Sequence, residues 1–385
     1  MNIRLLMLAQ NRVGRGTYWR ALGFAQELAH LDYEVTLLAV APNRRRGFAQ
    51  YTLNGVYIVE TPDLLPRSGY DLWDALHRMA WVRQRPFDLI HAFETRPVNL
   101  FPALLARRWL GVPLLTDWCD WFGRGGSVEQ RSNPLLRTVL RPLETFFEEY
   151  PRPRTAGTTV INSILQQKAL MLGVPEERLL LLPNGANVTD ISPQDAQMMR
   201  QKLGLPEDAF ILGYTGALFL EDAQLMAQTF DLLYAAHPQV RLLLIGYTNL
   251  AVEEMVRAKT AVLRTGPVSY QQLADYLAAC DAGWLPLADN VANRGRFPMK
   301  AHDFIAAGRP LIVSDVGDLG DFVRCHGLGH VAPAEPSAMA QVVSTALADP
   351  VSLAEIGHHS RYIAETEYAW PVITAQLAQF YARLI

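Results

Sequence analysis

The chain has 385 residues, half of them apolar and 19% charged, with a formal net charge of −3. That length suits two domains, each able to bury its own core, and the composition excludes a disordered or fibrous chain. No apolar run approaches the ~20 residues that span a bilayer. The three cysteines, Cys119, Cys280 and Cys325, are scattered without a C-x-x-C, which argues for a reducing cytoplasm and against a structural zinc site.

The charge is unevenly placed. Residues 1–182 hold 22 Lys+Arg against 17 Asp+Glu, or +5, and the remainder holds 13 against 21, or −8, which together give −3. A positive half invites an anionic partner: a phosphorylated acceptor, a membrane surface or nucleic acid. A solvated arginine-rich surface explains it equally well.

In chain order, the N-terminal "MNIRLLMLAQNR" reads as a first strand over 3–9 rather than a signal peptide. A helix follows from about Thr17, with Trp19, Leu22, Ala25, Leu28 and Ala29 at helical spacing. Strands are predicted over 34–40, 87–93, 112–118, 157–162 and 178–185, with a helix in "NLFPALLARRWLG". A second cycle starts after Gly185: strands over 209–216, 240–246, 261–267, 282–287 and 310–315, and helices in "AQLMAQTFDLLYAAHP", "SYQQLADYLAAC" and "SAMAQVVSTALADP". Alternation of this kind makes parallel sheets covered by helices. The fold class is therefore α/β, with two doubly wound domains meeting near residues 183–187 and a ligand cleft expected where strand ends of facing domains meet.

Four stretches carry the chemistry. In "AQNRVGRGTYWR" (9–20), Gly14 and Gly16 lie between the first strand and first helix, where free amides can cradle an anion. A tight turn also explains them, and the third glycine of a dinucleotide fingerprint is missing. In "GRFPMKAHDFIAAGRP" (295–310), Pro298 suits a first helical turn, Gly308 a C-terminal cap and Pro310 a stop, which predicts a helix over about 298–307. Lys300 and Asp303 then share a face, and Arg294, Arg296 and Lys300 converge near that helix start with no acidic neighbour but Asp303, a setting for a diphosphate. In "TDWCDWFGRGG" (116–126), Asp117 and Asp120 follow a buried strand, which suits a carboxylate beside an acceptor hydroxyl better than a metal site, and loop capping equally well. In "RSNPLLRTVLRPLETFFEEYPRPR" (131–154), an apolar stripe from Leu135 to Phe147 is flanked by arginines. Packing on the first domain's sheet explains that stripe, as does lying on an anionic membrane, and Glu144, Glu148 and Glu149 count against the membrane.

"FPMKAHDFIAAGRPLIVSDVG" resembles the donor-site segment of nucleotide-sugar glycosyltransferases of the two-domain GT-B fold, the family 4 type in particular. "GRGTYWRALGFAQELAHLDYEVTLL", "ILGYTGALF", "VRLLLIG", "VLRTGPVSYQQLADYLAACDAGWLPL" and "YAWPVITAQLAQFYARLI" match in order and spacing, so the resemblance covers nearly the whole chain. It implies an acceptor-binding Rossmann-like domain over 1–182, to which a C-terminal helix over 368–385 returns, and a donor-binding Rossmann-like domain over 183–367.

Carried over residue by residue, it implies that Asp303 binds the ribose hydroxyls and that Met299 and Lys300, in "FPMK" with Phe297 and Pro298, line the nucleotide and its phosphates. It implies that Gly266 and Val268 lie beside the base, that Gly216 closes the "YTG" strand at the donor, and that Gly14 and Gly16 face the diphosphate and sugar. The family's first motif glutamate falls on Gly295, its basic pair after "YTG" on Ala217 and Asp222, and its usual histidine on Cys119. These departures shift the phosphate role to Arg294, Arg296 and Lys300, or to arginines of the first domain.

The expected activity is transfer of a sugar from a nucleoside diphosphate sugar to an acceptor hydroxyl in glycan or glycolipid biosynthesis. By resemblance it is retaining and needs no metal or other cofactor, with Lys300 and Arg296 stabilising the leaving diphosphate and Asp120 as the candidate carboxylate. The expected location is cytoplasmic, with peripheral membrane contact through 131–154 and no nucleic-acid partner. The alternatives are a sugar-nucleotide epimerase of the same fold and a non-catalytic GT-B-like binding subunit.

Overall fold

In a computed structural model, residues 3–43, 46–63 and 69–385 are described. The chain divides into two units, Met1–Gly185 with Trp370–Ile385, and Ala186–Ala369.

The first unit runs β1 (Arg4–Arg12), α1 (Thr17–His30), β2 (Glu34–Val40), β3 (Ala49–Leu53), β4 (Val56–Thr61), α2 (Leu72–Val82), β5 (Leu89–Phe93), α3 (Pro97–Leu110), β6 (Leu114–Trp118), α4 (Pro134–Glu149), β7 (Gly157–Val160), α5 (Ser163–Met171) and β8 (Leu179–Leu181). Its eight-stranded sheet has the order β3-β4-β2-β1-β5-β6-β7-β8. Every pairing is parallel except β3 with β4, an antiparallel hairpin at the edge. The central strands are buried and mostly apolar because helices cover both faces. Leu6, Leu38, Ile90 and Leu114 are fully buried in one core cluster with Trp81 and Phe87.

The second unit runs α6 (Ala196–Leu203), β9 (Phe210–Thr215), α7 (Leu220–Ala236), β10 (Val240–Ile245), β11 (Val262–Arg264), α8 (Tyr270–Ala278), β12 (Ala282–Leu285), α9 (Val291–Arg294), α10 (Lys300–Ala306), β13 (Leu311–Ser314), α11 (Asp318–His326), β14 (Gly329–Ala332), α12 (Pro336–Ala348) and α13 (Pro350–Thr366). Its six strands are all parallel, in the order β11-β10-β9-β12-β13-β14. Both sheets are doubly wound, as the two-domain α/β reading expects.

The last helix, α14 (Trp370–Ala382), belongs to the first unit. Its anchor is Trp370, which stacks edge-on against Phe24 with ring centroids 5.0 Å apart. The indole occupies space that two glycines leave free. A Cβ on Gly23 would come within 2.5 Å of it, and one on Gly185 within 2.3 Å, closer than atoms can pack. Further along α14, the Tyr381 hydroxyl is hydrogen-bonded to His91 Nδ1 at 2.7 Å in the buried core.

The helices α10 and α4 differ from expectation. The helix predicted over about 298–307 is the shorter α10, because Ala301 and His302 donate to the carbonyls of Pro298 and Met299 in a tighter turn. Gly308 ends it in the left-handed region at φ +67°, as its C-terminal position requires. In α4 the packing is reversed. The helix buries Glu144 and Glu148 and leaves Leu135, Leu136, Val139, Leu143 and Phe146 exposed.

Candidate functional site

In a doubly wound sheet the strand order reverses at one place, and loops at the carboxyl ends of the strands there part to form a crevice. In the second unit that place lies between β9 and β12. Gly216 follows β9 at φ +78° and Gly266 follows β11 at φ +68°, and a Cβ on either would meet no atom within 4 Å. The backbone beside this edge is open. Val268 is half-buried next to it. The long connection after β12 carries α9 and the start of α10 along the same edge.

On α10, Lys300 and Asp303 are half-buried on one face. Lys300 Nζ sits 3.6 Å from the centroid of the Tyr214 ring, a cation–π contact. Tyr214 is held in place by donating its hydroxyl to the Ala217 carbonyl at 3.0 Å. No hydrogen bond or ion pair joins either α10 group to another described residue. Burial dominates both ionisations. It pushes the Asp303 carboxyl up to about 7, with Lys300 opposing. It also drives Lys300 well below the ordinary lysine range, helped by Arg296 and opposed by Asp222 and Asp303. An ammonium and a carboxylate are thus held side by side, each only partly solvated and each with hydrogen-bonding capacity to offer.

The arginines behave differently from expectation. Two carboxylates that the sequence did not assign to them take their charge. Arg296 Nη2 donates to Asp222 Oδ2 at 2.9 Å, and its guanidinium lies 4.3 Å from the Phe219 ring centroid. Arg294 pairs with Asp289 at 2.6 and 2.7 Å on the surface. The expected convergence of three free cations with Asp303 as the sole acid is therefore corrected: Lys300 alone lacks a carboxylate partner. Asp222 is the organiser. Fully buried in the first turn of α7, it also accepts from the Ala288 amide at 2.9 Å and from Asn293 Nδ2 at 2.7 Å. It ties the connection after β12 to the helix after β9. Phe297 is also corrected. It packs inward against Phe322 and His302, each at 5.3 Å, because an apolar ring at that position completes a buried aromatic cluster. Pro298 and Met299 remain half-buried at the head of α10.

In the first unit the order reverses between β1 and β5. Gly14 and Gly16 follow β1 at φ +80° and +53°. A Cβ on Gly16 would come within 2.9 Å of Asn11, whose Oδ1 accepts from Thr17 N at 3.1 Å and Thr17 Oγ1 at 2.5 Å. The Tyr18 and Trp19 amides bond to Arg15 and Gly16 carbonyls. The anion cradle expected from the first amides of α1 is thus already filled at Thr17, Tyr18 and Trp19 by the turn itself.

Across the reversal, Glu94 follows β5 in the left-handed region at φ +69°, a costly place for a side chain other than glycine. Its buried Oε1 accepts from Cys119 N at 2.9 Å, Cys119 Sγ at 3.0 Å and Asp120 N at 3.2 Å. Burial pushes Glu94 up to about 7, opposed by Arg152. The ligand atoms of Glu94, Cys119 and Asp120 lie within 4.8 Å of one another, but the thiol is a donor raised by burial and Glu94 is already engaged by three donors. Asp120 is half-buried at the end of β6. Asp117, three residues earlier, is not at the edge. It is fully buried and receives Arg20 Nε and Nη2 at 2.9 Å each and Thr159 Oγ1 at 2.5 Å. Arg20 draws its pKa down against the pull of burial. Asp117 is corrected from an edge carboxylate to part of the core.

Family models match the chain in both units: glycosyl transferase 4-like domain over residues 15–185 and glycosyl transferases group 1 over 209–349. The chain belongs to the group 1, family 4-like glycosyltransferases. Among curated relatives, the chain is 26% identical over 250 residues to D-inositol 3-phosphate glycosyltransferase of Thermobispora bispora, covering 60% of this chain and 56% of that one. It is 24% identical over 255 residues to lipopolysaccharide 1,2-N-acetylglucosaminetransferase of Salmonella typhimurium, covering 62% and 65%. The chain thus spans somewhat over half the length of such relatives. Among solved structures, sucrose-phosphate synthase of Thermosynechococcus elongatus matches with TM-score 0.79 at 18% identity, covering 100% of this chain and 99% of that one. HepE of Anabaena, solved with UDP and glucose, matches with TM-score 0.68 at 17% identity over 99% and 100%. These two likenesses establish the shared fold.

Glu94 and Tyr214 carry the two edges and were not singled out in the sequence. The signal for Glu94 was its place directly after the buried strand β5, where an acidic side chain near a ligand-binding edge is a candidate for a functional role.

Proposed function

We propose that this chain transfers a sugar from a nucleoside diphosphate sugar to an acceptor hydroxyl, with the second unit binding the donor and the first the acceptor. The observation that carries this is the Lys300–Asp303 pair: an unpaired ammonium and an unpaired carboxylate on one face of α10, beside the strand-order reversal and the open glycines Gly216 and Gly266. A carboxylate accepts from both hydroxyls of a ribose cis-diol, and an ammonium answers the diphosphate as a point charge. The relatives named above as glycosyltransferases, and the neighbour solved with UDP, support the same reading.

In the reaction, the bond between the anomeric carbon and the diphosphate oxygen breaks as the acceptor oxygen bonds to that carbon. Negative charge grows on the departing diphosphate, so a preset cation there favours the transition state over the bound substrate. Lys300 fills that role directly. Arg296, oriented by Asp222, reinforces it. Positive charge from these side chains makes a divalent metal unnecessary in this reading. Retention of configuration follows when the acceptor proton passes to the departing phosphate oxygen on the same face. If the product is inverted instead, Asp120 is our candidate for the carboxylate that takes that proton. The proposed acceptor is a glycan or a lipid-linked sugar, met from the cytoplasm at the membrane face.

A thermal-shift screen with UDP-, GDP-, ADP- and dTDP-sugars tests the reading. A donor at 100 times its Kd adds ~2.7 kcal/mol, so one base should raise the melting temperature clearly. Release of nucleoside diphosphate only when acceptor extract is present supports transfer. A sugar nucleotide epimerised without acceptor would point to an epimerase, and no stabilisation by any donor would overturn the proposal.

A further inference from the structure

We propose that the first unit docks on an anionic lipid bilayer through a face built by α2, α3 and α4, at a place distinct from the donor site. The evidence is the reversed packing of α4. An amphipathic helix ordinarily turns its apolar stripe to the core. Here Leu135 is 79% exposed and Val139 67%, while Glu144 and Glu148 are buried.

The glutamates explain the orientation. Glu148 accepts from Trp118 Nε1 at 3.0 Å and from the Phe122 and Gly123 amides at 2.7 Å each. A side chain at position 123 would strike Glu148 Oε2 at 2.6 Å, so the glycine is part of the anchor. Glu144 pairs with Arg131 at 2.6 Å. Polar bonds thus fasten α4 to the unit, and its leucines and phenylalanines are left on the outside.

The apolar face continues beyond α4. Phe147 meets Phe101 of α3 edge-on at 5.9 Å, and Phe101 and Leu104 line a groove with Leu72 and Leu76 of α2. Exposed Trp73, Trp109 and Tyr150, side chains that favour a lipid–water interface, stand on the same three elements or just beyond them. A soluble monomer rarely leaves so continuous an apolar surface uncovered.

Charge selects the occupant. The acids of these elements are turned away from solvent or neutralised. Asp74 is buried against Arg78, Glu149 is held by Lys168 at 2.7 Å, and Glu129 by Arg141 at 2.8 Å. α3 contains no acid at all. Arg107, Arg108, Arg124 and Arg154 are exposed on or beside the face. The glutamates that counted against a membrane in the sequence therefore do not face it. Exposed apolar side chains with a basic surround are what an interfacial helix offers to anionic headgroups. No described helix is long and apolar enough to cross a membrane, so the attachment is peripheral.

The test is co-sedimentation of the full chain with phosphatidylcholine vesicles and with phosphatidylcholine–phosphatidylglycerol vesicles, at low and high salt. Binding to the anionic vesicles alone, reduced several-fold by salt, is expected. Leu135→Asp/Val139→Asp should lower it at least tenfold, and Arg108→Glu/Arg141→Glu several-fold, while Arg257→Glu on the second unit changes nothing. Because the arginine pair is on the surface, it keeps the test valid should the first variant fold poorly. Equal binding to neutral vesicles, or none to either, overturns the proposal. So does light scattering that shows two copies of the chain separated by Val139→Asp, which would make this face a self-interface. None of these readouts depends on turnover.

Discussion

Asp117 and Asp303 are both carboxylates removed from bulk water, one in each unit, and their surroundings treat them oppositely. Asp117 is bracketed by two nitrogens of Arg20 and by Thr159, and its pKa falls. The Asp303 carboxylate has a neighbouring ammonium but no hydrogen bond to another described residue, and its pKa rises to about 7. The first charge is fully answered within the protein, so it holds the fold. The second is left for something outside the chain to answer. Glu94 stands between them, given three donors on one oxygen yet still raised to about 7.

The largest effect should come from breaking the answered pair. Asp117→Asn leaves the Arg20 guanidinium buried without its counter-charge, so we expect a loss of ~3–5 kcal/mol of stability, read by urea unfolding. A change under 1 kcal/mol, on the scale of ~1 kcal/mol for an ordinary hydrogen bond, would mean the pair does not support the fold. Next is Lys300→Ala. It should cost about 10²–10³ in kcat, the range for removing one preset donor at a developing charge, with less effect on KM. A change in KM alone would reduce Lys300 to a ground-state contact.

Asp303→Asn should weaken nucleoside diphosphate binding by ~1–3 kcal/mol by calorimetry and leave unfolding stability little reduced at neutral pH. It also has a pH signature. The Asp303 carboxyl titrates at about 7 when folded and from its ordinary value of 3.8 when unfolded. Between those values the folded chain keeps a proton that the unfolded chain has lost, so stability falls as pH rises across that window and levels off above it. The variant should lose that part of the slope, while the same-signed contribution of Glu94 remains. In the wild type, nucleotide affinity should increase as pH rises through about 7, because the ionised carboxylate is the acceptor. The smallest effect belongs to Arg294→Ala. Its partner Asp289 is on the surface, and exposed pairs contribute ~0–1 kcal/mol, so nucleotide affinity should stay nearly unchanged. A tenfold loss would restore Arg294 to the donor site.

The parts of this molecule legible in sequence were those where one side chain pattern has one structural meaning. Strands such as β1, β2 and β9 are apolar on both faces and could lie only inside a covered sheet. The hairpin of β3 and β4 escaped notice because β3 is largely exposed at the sheet edge and its "AQYTL" lacks that continuity. The apolar stripe of α4 was visible, but periodicity gives the stripe and not the direction in which it points. That direction is set by Trp118 and the 122–123 amides, partners that only the fold brings to Glu148. Asp117 and Asp120 looked alike three residues apart. Strand pairing to β5 and β7 closes in the first, while the second lies beyond the end of the strand and is half-buried. Lys300 and Asp303 were found through helical spacing. Asp222 and Asp289, which take the charge of the neighbouring arginines, were out of reach because each pairing depends on how a loop folds back.

The seat of Trp370 between Gly23 and Gly185 also bears on how the chain is made. The ribosome delivers the residues up to Gly185 first, yet the helix that fills this seat emerges only after the whole second unit. At ~5–20 residues per second, the nascent first unit waits roughly ten to forty seconds with an open apolar slot beside Phe24. During that interval it exposes a surface that chaperones recognise, and a transcript interrupted before codon 370 would yield a first unit unable to close.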